Sequence, residues 1–269
     1  MAVTALHTAA TGLSALATDI DIIANNLANT NTVGFKGMRA NFQDLIYQEK
    51  EQPGVENANG DVRPAGLYVG LGTRISNTQT DFSTGSPIPT EKDLDMMIVG
   101  PGFFKVSILQ EEGDGFGYTR AGNFFRNRDG ELVLGNLDGP RLEQGITIPT
   151  DAVRVDIAKD GTVNAFVPGQ VEPSVVGQIQ ISTFVNPAGL KAVGGNLYVE
   201  TAGSGPPIEG APGEGQLGTI HDKHLESSNV DPVKELVKLI KTQRSFEMNS
   251  QSIEAADEAL QVIANLRRF

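Results

Sequence analysis

From Met1 to Lys36 the apolar residues recur with a period that suits a helix. Leu6, Leu13, Ile20 and Leu27 stand seven apart; Ala9, Leu16 and Ile23 follow three residues behind, and Ala10, Ala17 and Ala24 four behind. Held over about four heptads, this a/d/e stripe is the pattern of a helix built to pack along another helix. A second seven-spaced row, Thr4, Thr11, Thr18 and Asn25, is polar but uncharged, and Asp19 and Asp21 are the only charges before Lys36. An exposed helix normally carries far more charge, so partners are expected on more than one face. The Thr row is expected to face a lumen or another helix. The run from Asn25 through Asn29 and Thr32 to Gly34 favours helix termination and a tight turn.

A second long helix is predicted at the other end. Asp231 supplies an N-cap and Pro232 the first helical position, and the pattern runs to about Arg267. Its seam is Leu239, Phe246, Ile253 and Leu260, with Leu236, Ala256 and Ile263 beside it. Gln243, Asn249, Ser250 and Asp257 interrupt this seam, and polar seam residues fix register at a cost in stability. Neither end helix can bury its stripe alone, so pairing the two is expected.

Between the helices the periodicity changes. Phe35–Tyr47 reads as a short helix or an extended packing segment around Phe42, Leu45 and Ile46, and Gln48–Pro64 as a long loop or hairpin extension. From Arg74 to about Ile220, short β runs alternate with turn residues, Val175–Phe184 being the longest run. Asp129-Gly130 and Asp160-Gly161 are hairpin signals, and Gly203–Gly218 reads as a mobile Gly/Pro-rich loop. The expected fold class is α+β. The terminal helices pair as a coiled-coil-like hairpin beside an all-β antiparallel middle domain, a barrel or sandwich. The expected parts are 1–32 with 226–269, a connector over 33–75, and a β domain over 76–225.

Composition narrows the function. With 33 acids against 21 bases, the net charge of -12 disfavours nucleic acid, which needs clustered Lys and Arg. No run reaches the roughly 18 apolar residues of a spanning helix. The N-terminus lacks the basic and apolar regions of a cleaved secretion signal. With no cysteine, thiolate metal sites and Cys nucleophiles are excluded. His221-Asp222-Lys223-His224 lacks a third ligand cluster and reads as a solvated connector, and His7 stands alone. Asn127-Arg128-Asp129-Gly130 reads as a hairpin turn rather than a calcium loop. The glycine-rich stretches fit no phosphate cradle, and paired carboxylates such as Glu111 and Glu112 suit a polar tip. No catalytic, metal or cofactor site is expected.

Four ordered blocks resemble the bacterial flagellar rod and hook subunits. The first is Ala24-Asn25-Asn26-Leu27-Ala28-Asn29 with Gly34-Phe35-Lys36. The second is Gly100-Pro101-Gly102-Phe103-Phe104-Lys105-Val106; the third is Tyr118-Thr119-Arg120-Ala121-Gly122-Asn123-Phe124 with Asp129 to Val133. The fourth joins Ser228-Asn229-Val230-Asp231, Glu235-Leu236-Val237, Gln243 to Asn249, and Asp257. Chain length and the insertion-like stretch from Tyr47 to Gly54, followed by Gly66 to Gly72, resemble the distal-rod branch. The Gln110–Gly117 tip and the Arg267-Arg268-Phe269 end depart from the family.

The resemblance implies a structural subunit of the distal rod. It implies end helices forming an inner tube, an outer β domain, and a rigid hollow shaft that transmits torque and encloses an export channel. The assembly residues would be Leu6, Leu13, Leu16, Ile20, Ile23, Leu27, Leu236, Leu239, Phe246, Ile253, Leu260 and Ile263. The implied partners are other copies, proximal rod subunits, hook and hook-cap-side proteins, the P- and L-ring proteins, and the type III export apparatus. The implied location is the rod across the periplasm, reached without a cleaved signal. Phe42 and Ile46 resemble an export-gate motif; alternatively they pack the connector. A proximal rod or hook subunit is the near alternative. A secreted β-rich adhesin, which has no use for two striped helices, is a distant one, and a glycosidase-like β enzyme is more distant still.

Overall fold

The computed structural model describes residues 2–54, 62, 64–108, 115–169 and 172–266. Residues 55–61 of the expected loop or hairpin extension, the paired Glu111 and Glu112, and the Arg267-Arg268-Phe269 end lie outside them. The chain divides into two compact units. One comprises 1–27, 38–79 and 232–269; the other comprises 28–37 and 80–231.

In the first unit, α1 (Ala2–Ala28) precedes β1 (Met38–Asp44), β2 (Tyr47–Glu51), β3 (Leu67–Gly70) and β4 (Thr73–Thr80). β1 pairs with β4, and β2 pairs antiparallel with β3. Phe35–Tyr47 therefore resolves as extended chain and not as a short helix, and within the stretch expected to be a loop or hairpin extension the described Gln48–Glu51 lie on β2. α2 (Pro232–Leu266) completes the unit, beginning at the expected proline.

The second unit carries the remaining strands in chain order. They are β5 (Pro87–Pro89), β6 (Met96–Val99), β7 (Phe103–Ser107), β8 (Phe116–Thr119), β9 (Phe124–Arg126), β10 (Leu132–Leu134) and β11 (Arg141–Leu142). β12 (Arg154–Ile157), β13 (Thr162–Phe166), β14 (Ser174–Gln178), β15 (Ile181–Thr183) and β16 (Lys191–Gly194) follow. β17 (Leu197–Val199), β18 (Ile208–Gly210), β19 (Thr219–Asp222) and β20 (His224–Glu226) close the unit. Nine of them form one sheet, running β16-β17-β8-β7-β11-β10-β9 with β15 also on β7 and β18 on β15. A β12-β13-β14 sheet and the ribbons β6-β19 and β5-β20 complete the unit.

β7 shows how this unit acquires its core. Successive strand side chains point to opposite faces, so Phe104 and Val106 enter the main aliphatic core with Met96, Ile98 and Ile181. Phe103 enters a separate aromatic cluster with Tyr118, Phe184 and Tyr198. Ring edges there meet faces, as between Tyr118 and Phe184 with centroids 4.7 Å apart.

Three expectations change here. Val175–Phe184 is two strands in different sheets, because Ile179 is buried and the chain passes from the β13 edge to the β7 edge. Gly203–Gly218 is not an open loop: Ile208–Gly210 pairs with Ile181–Thr183, and Pro212 and Gly218 are buried. His221 and His224 lie on β19 and β20, half-buried, and not on a solvated connector. Hairpin turns do form where Asp-Gly pairs predict them: Asn127 accepts from the Asp129 and Glu131 amides, and Gly130 adopts φ 86°.

Candidate assembly interface and its buried anchor

The two helices of the first unit run antiparallel, and the row that joins them is polar. Asn26 Nδ2 donates to Glu235 Oε2 at 3.3 Å, and Thr242 Oγ1 donates to Asp19 Oδ2 at 3.1 Å. A Cβ placed on Gly12 would stand 3.2 Å from Asn249 Nδ2. Positions fall by seven on α1 while rising by seven on α2, so the contacts form one heptad ladder. Ala9, Ala15, Ile23 and Asn26 are buried on α1, and Glu235 and Thr242 on α2.

The expected apolar seams therefore do not face each other squarely. Leu6, Leu13, Leu16, Ile20 and Leu27 are half-buried, and only Ile23 of the named α1 residues is fully covered. Leu239, Ile253 and Leu260 are half-buried, while Leu236 and Phe246 are exposed. The Ile263 side chain lies outside the described residues. Glu235 and Thr242 occupy the place that the apolar row was expected to fill because each finds a partner on α1, as a buried polar group must. Exposed apolar side chains remain on α2, including Val237 at 62% and Ile240 at 52%.

Thr11 has a different neighbour from the one expected of its row. Thr11 Oγ1 accepts from the Thr73 amide at 3.4 Å, and a Cβ on Gly72 would lie 2.1 Å from that oxygen. At this position the row meets the β3–β4 turn, so a lumen or helix assignment fails for Thr11. Thr18 and Asn25 are exposed.

The Asn-rich motif divides its work. Asn26 holds both backbone groups of Met38, accepting from its amide at 2.9 Å and donating to its carbonyl at 2.7 Å. Asn29 Oδ1 accepts from Thr32 Oγ1 in the turn that ends α1. Gly34, Phe35 and Lys36 belong to the second unit and are buried there. Gly34 has φ 69°, and a Cβ on it would lie 2.6 Å from the Ala121 amide nitrogen, so glycine is required.

Lys36 anchors a cluster that no pattern in the sequence announces. Its Nζ lies 2.6 Å from Glu226 Oε1, and neither side chain exposes any surface. It also donates to the Ser83 carbonyl at 2.6 Å. Glu226 accepts from the Gly85 amide at 2.8 Å, and Arg120 Nη1 approaches its other oxygen at 3.7 Å. Arg120 donates to the carbonyls of Ile98 and Gly100 and lies 5.2 Å over the Phe103 ring. Two buried cations thus share one carboxylate. Burial pushes the Lys36 ammonium below its ordinary pKa, with Glu226 opposing that shift, and burial lowers Arg120 as well.

Asn229 fastens the same neighbourhood. Its Oδ1 accepts from the Gly37 amide at 2.8 Å, and its Nδ2 donates to the Asp81 carbonyl at 2.7 Å and to Ser83 Oγ at 3.1 Å. Sequence reasoning noted Lys36, Arg120 and Asn229 as motif letters but not their convergence, and it missed Glu226. The available signal was a lone lysine after Gly-Phe in a charge-poor stretch.

Phe42 on β1 and Ile46 just beyond it expose 47% and 77% of their surface, so neither packs the connector. Among the described residues no group of three metal-ligating side chains gathers. No described helix is long and apolar enough to cross a membrane.

Three family models match the chain. A flagella basal body rod protein model covers residues 6–36, a flagellar hook protein FlgE/F/G D1 domain model 97–165, and a flagellar basal body rod FlgEFG protein C-terminal model 221–266. The flagellar basal-body rod protein FlgG of Caulobacter vibrioides is 44% identical over 98% of this chain and 99% of its own length. Its counterpart in Borreliella burgdorferi is 42% identical over 98% of each chain. This chain belongs to the flagellar basal-body rod protein family. The family is a structural one. The first matched segment ends at Lys36 and the last contains Glu226, so the two halves of the buried pair lie in different matched segments. Arg120 lies in the middle one.

Proposed function

We propose that the chain is a structural subunit of the flagellar distal rod. Copies polymerise head to tail into a straight hollow shaft in the basal body, which transmits torque and encloses the export channel. The observation that carries this reading is the pair of striped helices. They meet each other through a polar ladder and leave apolar rows half-covered or exposed, as a chain awaiting further copies should. Open tubes require a heterologous contact that does not close on itself.

In this reading Leu6, Leu13, Leu16, Ile20, Leu27, Leu236, Leu239, Phe246, Ile253, Leu260 and Ile263 bury their remaining surface between copies, and Ile23 supports them from within. The β2–β3 hairpin favours the distal rod over a proximal rod or hook subunit, because it is built from the stretch that resembles the distal-rod branch. Proximal rod, hook and hook-cap-side proteins and the P- and L-ring proteins are the proposed neighbours, with the rod crossing the periplasm. Delivery is by the type III export apparatus, to which exposed Phe42 and Ile46 are offered on extended chain.

The test is electron microscopy of the purified chain at high concentration, with straight tubes expected. Leu13→Asp removes a seam leucine, each of which contributes roughly 1.5–3 kcal/mol when buried. It should abolish tubes while near-UV circular dichroism of the β-rich unit stays unchanged. Tubes from that variant would sink the seam assignment.

A further inference from the structure

Helix α2 carries its charge in two blocks. Lys234, Lys238, Lys241 and Arg244 precede Ser245, whereas Glu247, Glu254, Asp257 and Glu258 follow it, and all eight are exposed. Glu235 alone breaks the order, and it is buried, held by Asn26 and Lys238. This arrangement opposes the helix dipole, which favours acids at the N-terminus and bases at the C-terminus. Pairing within the helix does not compensate. Lys241, Arg244, Glu247, Glu254 and Glu258 make no ion pair among the described residues.

The blocks also lie on different sides. Measured from the Glu235–Thr242–Asn249 row that faces α1, Lys234, Lys238 and Lys241 occupy one flank. Glu247, Glu254 and Asp257 occupy the other, roughly 135–180° away around the axis at 3.5–3.6 residues per turn, while Arg244 and Glu258, two heptads apart, share the outward face between them. A two-fold contact through either flank uses the same flank of each copy and sets like charge against like, and on the outward face it would find Arg244 as the single base of the two blocks. A parallel contact, in which one flank meets the other, joins basic to acidic surface.

We propose that the basic first half of α2 in one copy lies beside the acidic second half of α2 in a second, parallel copy. The block centres are about 15 residues apart, which at 1.5 Å per residue sets an axial stagger of roughly 22 Å. This rests on the self-assembly reading above and names the register of one of its contacts.

The test uses the full-length chain and sedimentation of polymer to measure the critical concentration. Lys241→Glu with Arg244→Glu sets two acids in the basic half; Glu247→Lys with Glu254→Lys sets two bases in the acidic half. Each pair should raise the critical concentration about tenfold or more at low salt, because several complementary contacts become repulsive at once. The fourfold variant should return to within about threefold of the parent, and an equimolar mixture of the two half-swapped chains should co-polymerise. Half-swapped chains that polymerise like the parent, or a fourfold variant as defective as either, would overturn the proposal while leaving self-assembly intact. A parent chain that forms no polymer at any concentration would remove the self-assembly reading and this contact with it. If a half-swap loses helicity by circular dichroism, the parent's salt dependence decides. Raising NaCl from about 50 to about 500 mM should raise its critical concentration several-fold, and no change would count against the contact.

Discussion

Replacing Glu226 with Gln tests the buried anchor most directly. The substitution keeps the side-chain shape and leaves an oxygen for the Gly85 amide, but it removes the one carboxylate beside Lys36 and Arg120. Two buried cations are then uncompensated. Breaking a buried pair by removing one partner costs about 3–5 kcal/mol. In a unit of roughly 160 residues each kcal/mol moves the melting temperature by about 2–4 °C, so the transition should fall by roughly 6–20 °C. Lys36→Met should cost less, because Glu226 keeps Arg120 at 3.7 Å and the Gly85 amide at 2.8 Å. The double variant should lose less than the sum of the two singles, since the second change removes a charge the first has stranded.

The pH dependence has a definite sign. Lys36 is already below its ordinary 10.5 in the folded chain, and losing Glu226 removes the attraction that opposes that shift. Between the folded and unfolded pKa the unfolded chain binds the extra proton, so the variant should regain stability as pH rises through that window. Chemical denaturation followed by near-UV circular dichroism, at pH 7 and again near pH 9, measures both effects. A Glu226→Gln chain within about 1 kcal/mol of the parent at pH 7, with no gain on raising the pH, would refute the reasoning.

Two further outcomes follow from geometry given above. The chain has no native cysteine, so Asp19→Cys with Thr242→Cys should oxidise readily to an intramolecular disulfide, seen as a mobility shift on non-reducing gels. Cysteines one heptad out of register, at 12 and 242, should not. Tyr198 is pushed up to about 12 by burial, and Tyr118 higher still by burial and nearby Glu200. Spectrophotometric titration should find both phenols protonated at pH 11, and because the unfolded chain ionises first, stability should fall as pH climbs from about 10 toward 12.

The long helices were legible because their signals are long. Seven-spaced leucines, the Asp231-Pro232 start and the Asp-Gly turns each carry a local physical cause. Which stripe of α1 meets α2 was not legible, because the apolar rows are louder than Gly12, Asp19 and Asn26, whose ladder shows only when both helices are set side by side. Short strands escaped for another reason: Pro87–Pro89 and Arg141–Leu142 are below any measurable period. A proline-flanked strand is also tolerated only at an edge, here against β20. Val175–Phe184 looked continuous because both of its strands are apolar, and nothing in composition marks a chain that changes sheets. The anchor was beyond reach for a simpler reason: Lys36 and Glu226 are 190 positions apart.

Asn229 gives that neighbourhood a consequence of its own. It holds Gly37, where the chain departs into the 38–79 excursion, and Asp81, where it has returned, while the Gly37 carbonyl itself accepts from the Asp81 amide at 2.8 Å. Both feet of the excursion are pinned to one another and to a third pass of chain. Residues added or lost between β2 and β3 therefore change the reach of the excursion without moving its feet. That makes 38–79 a cassette whose length can drift between related proteins while the frame that carries it stays the same.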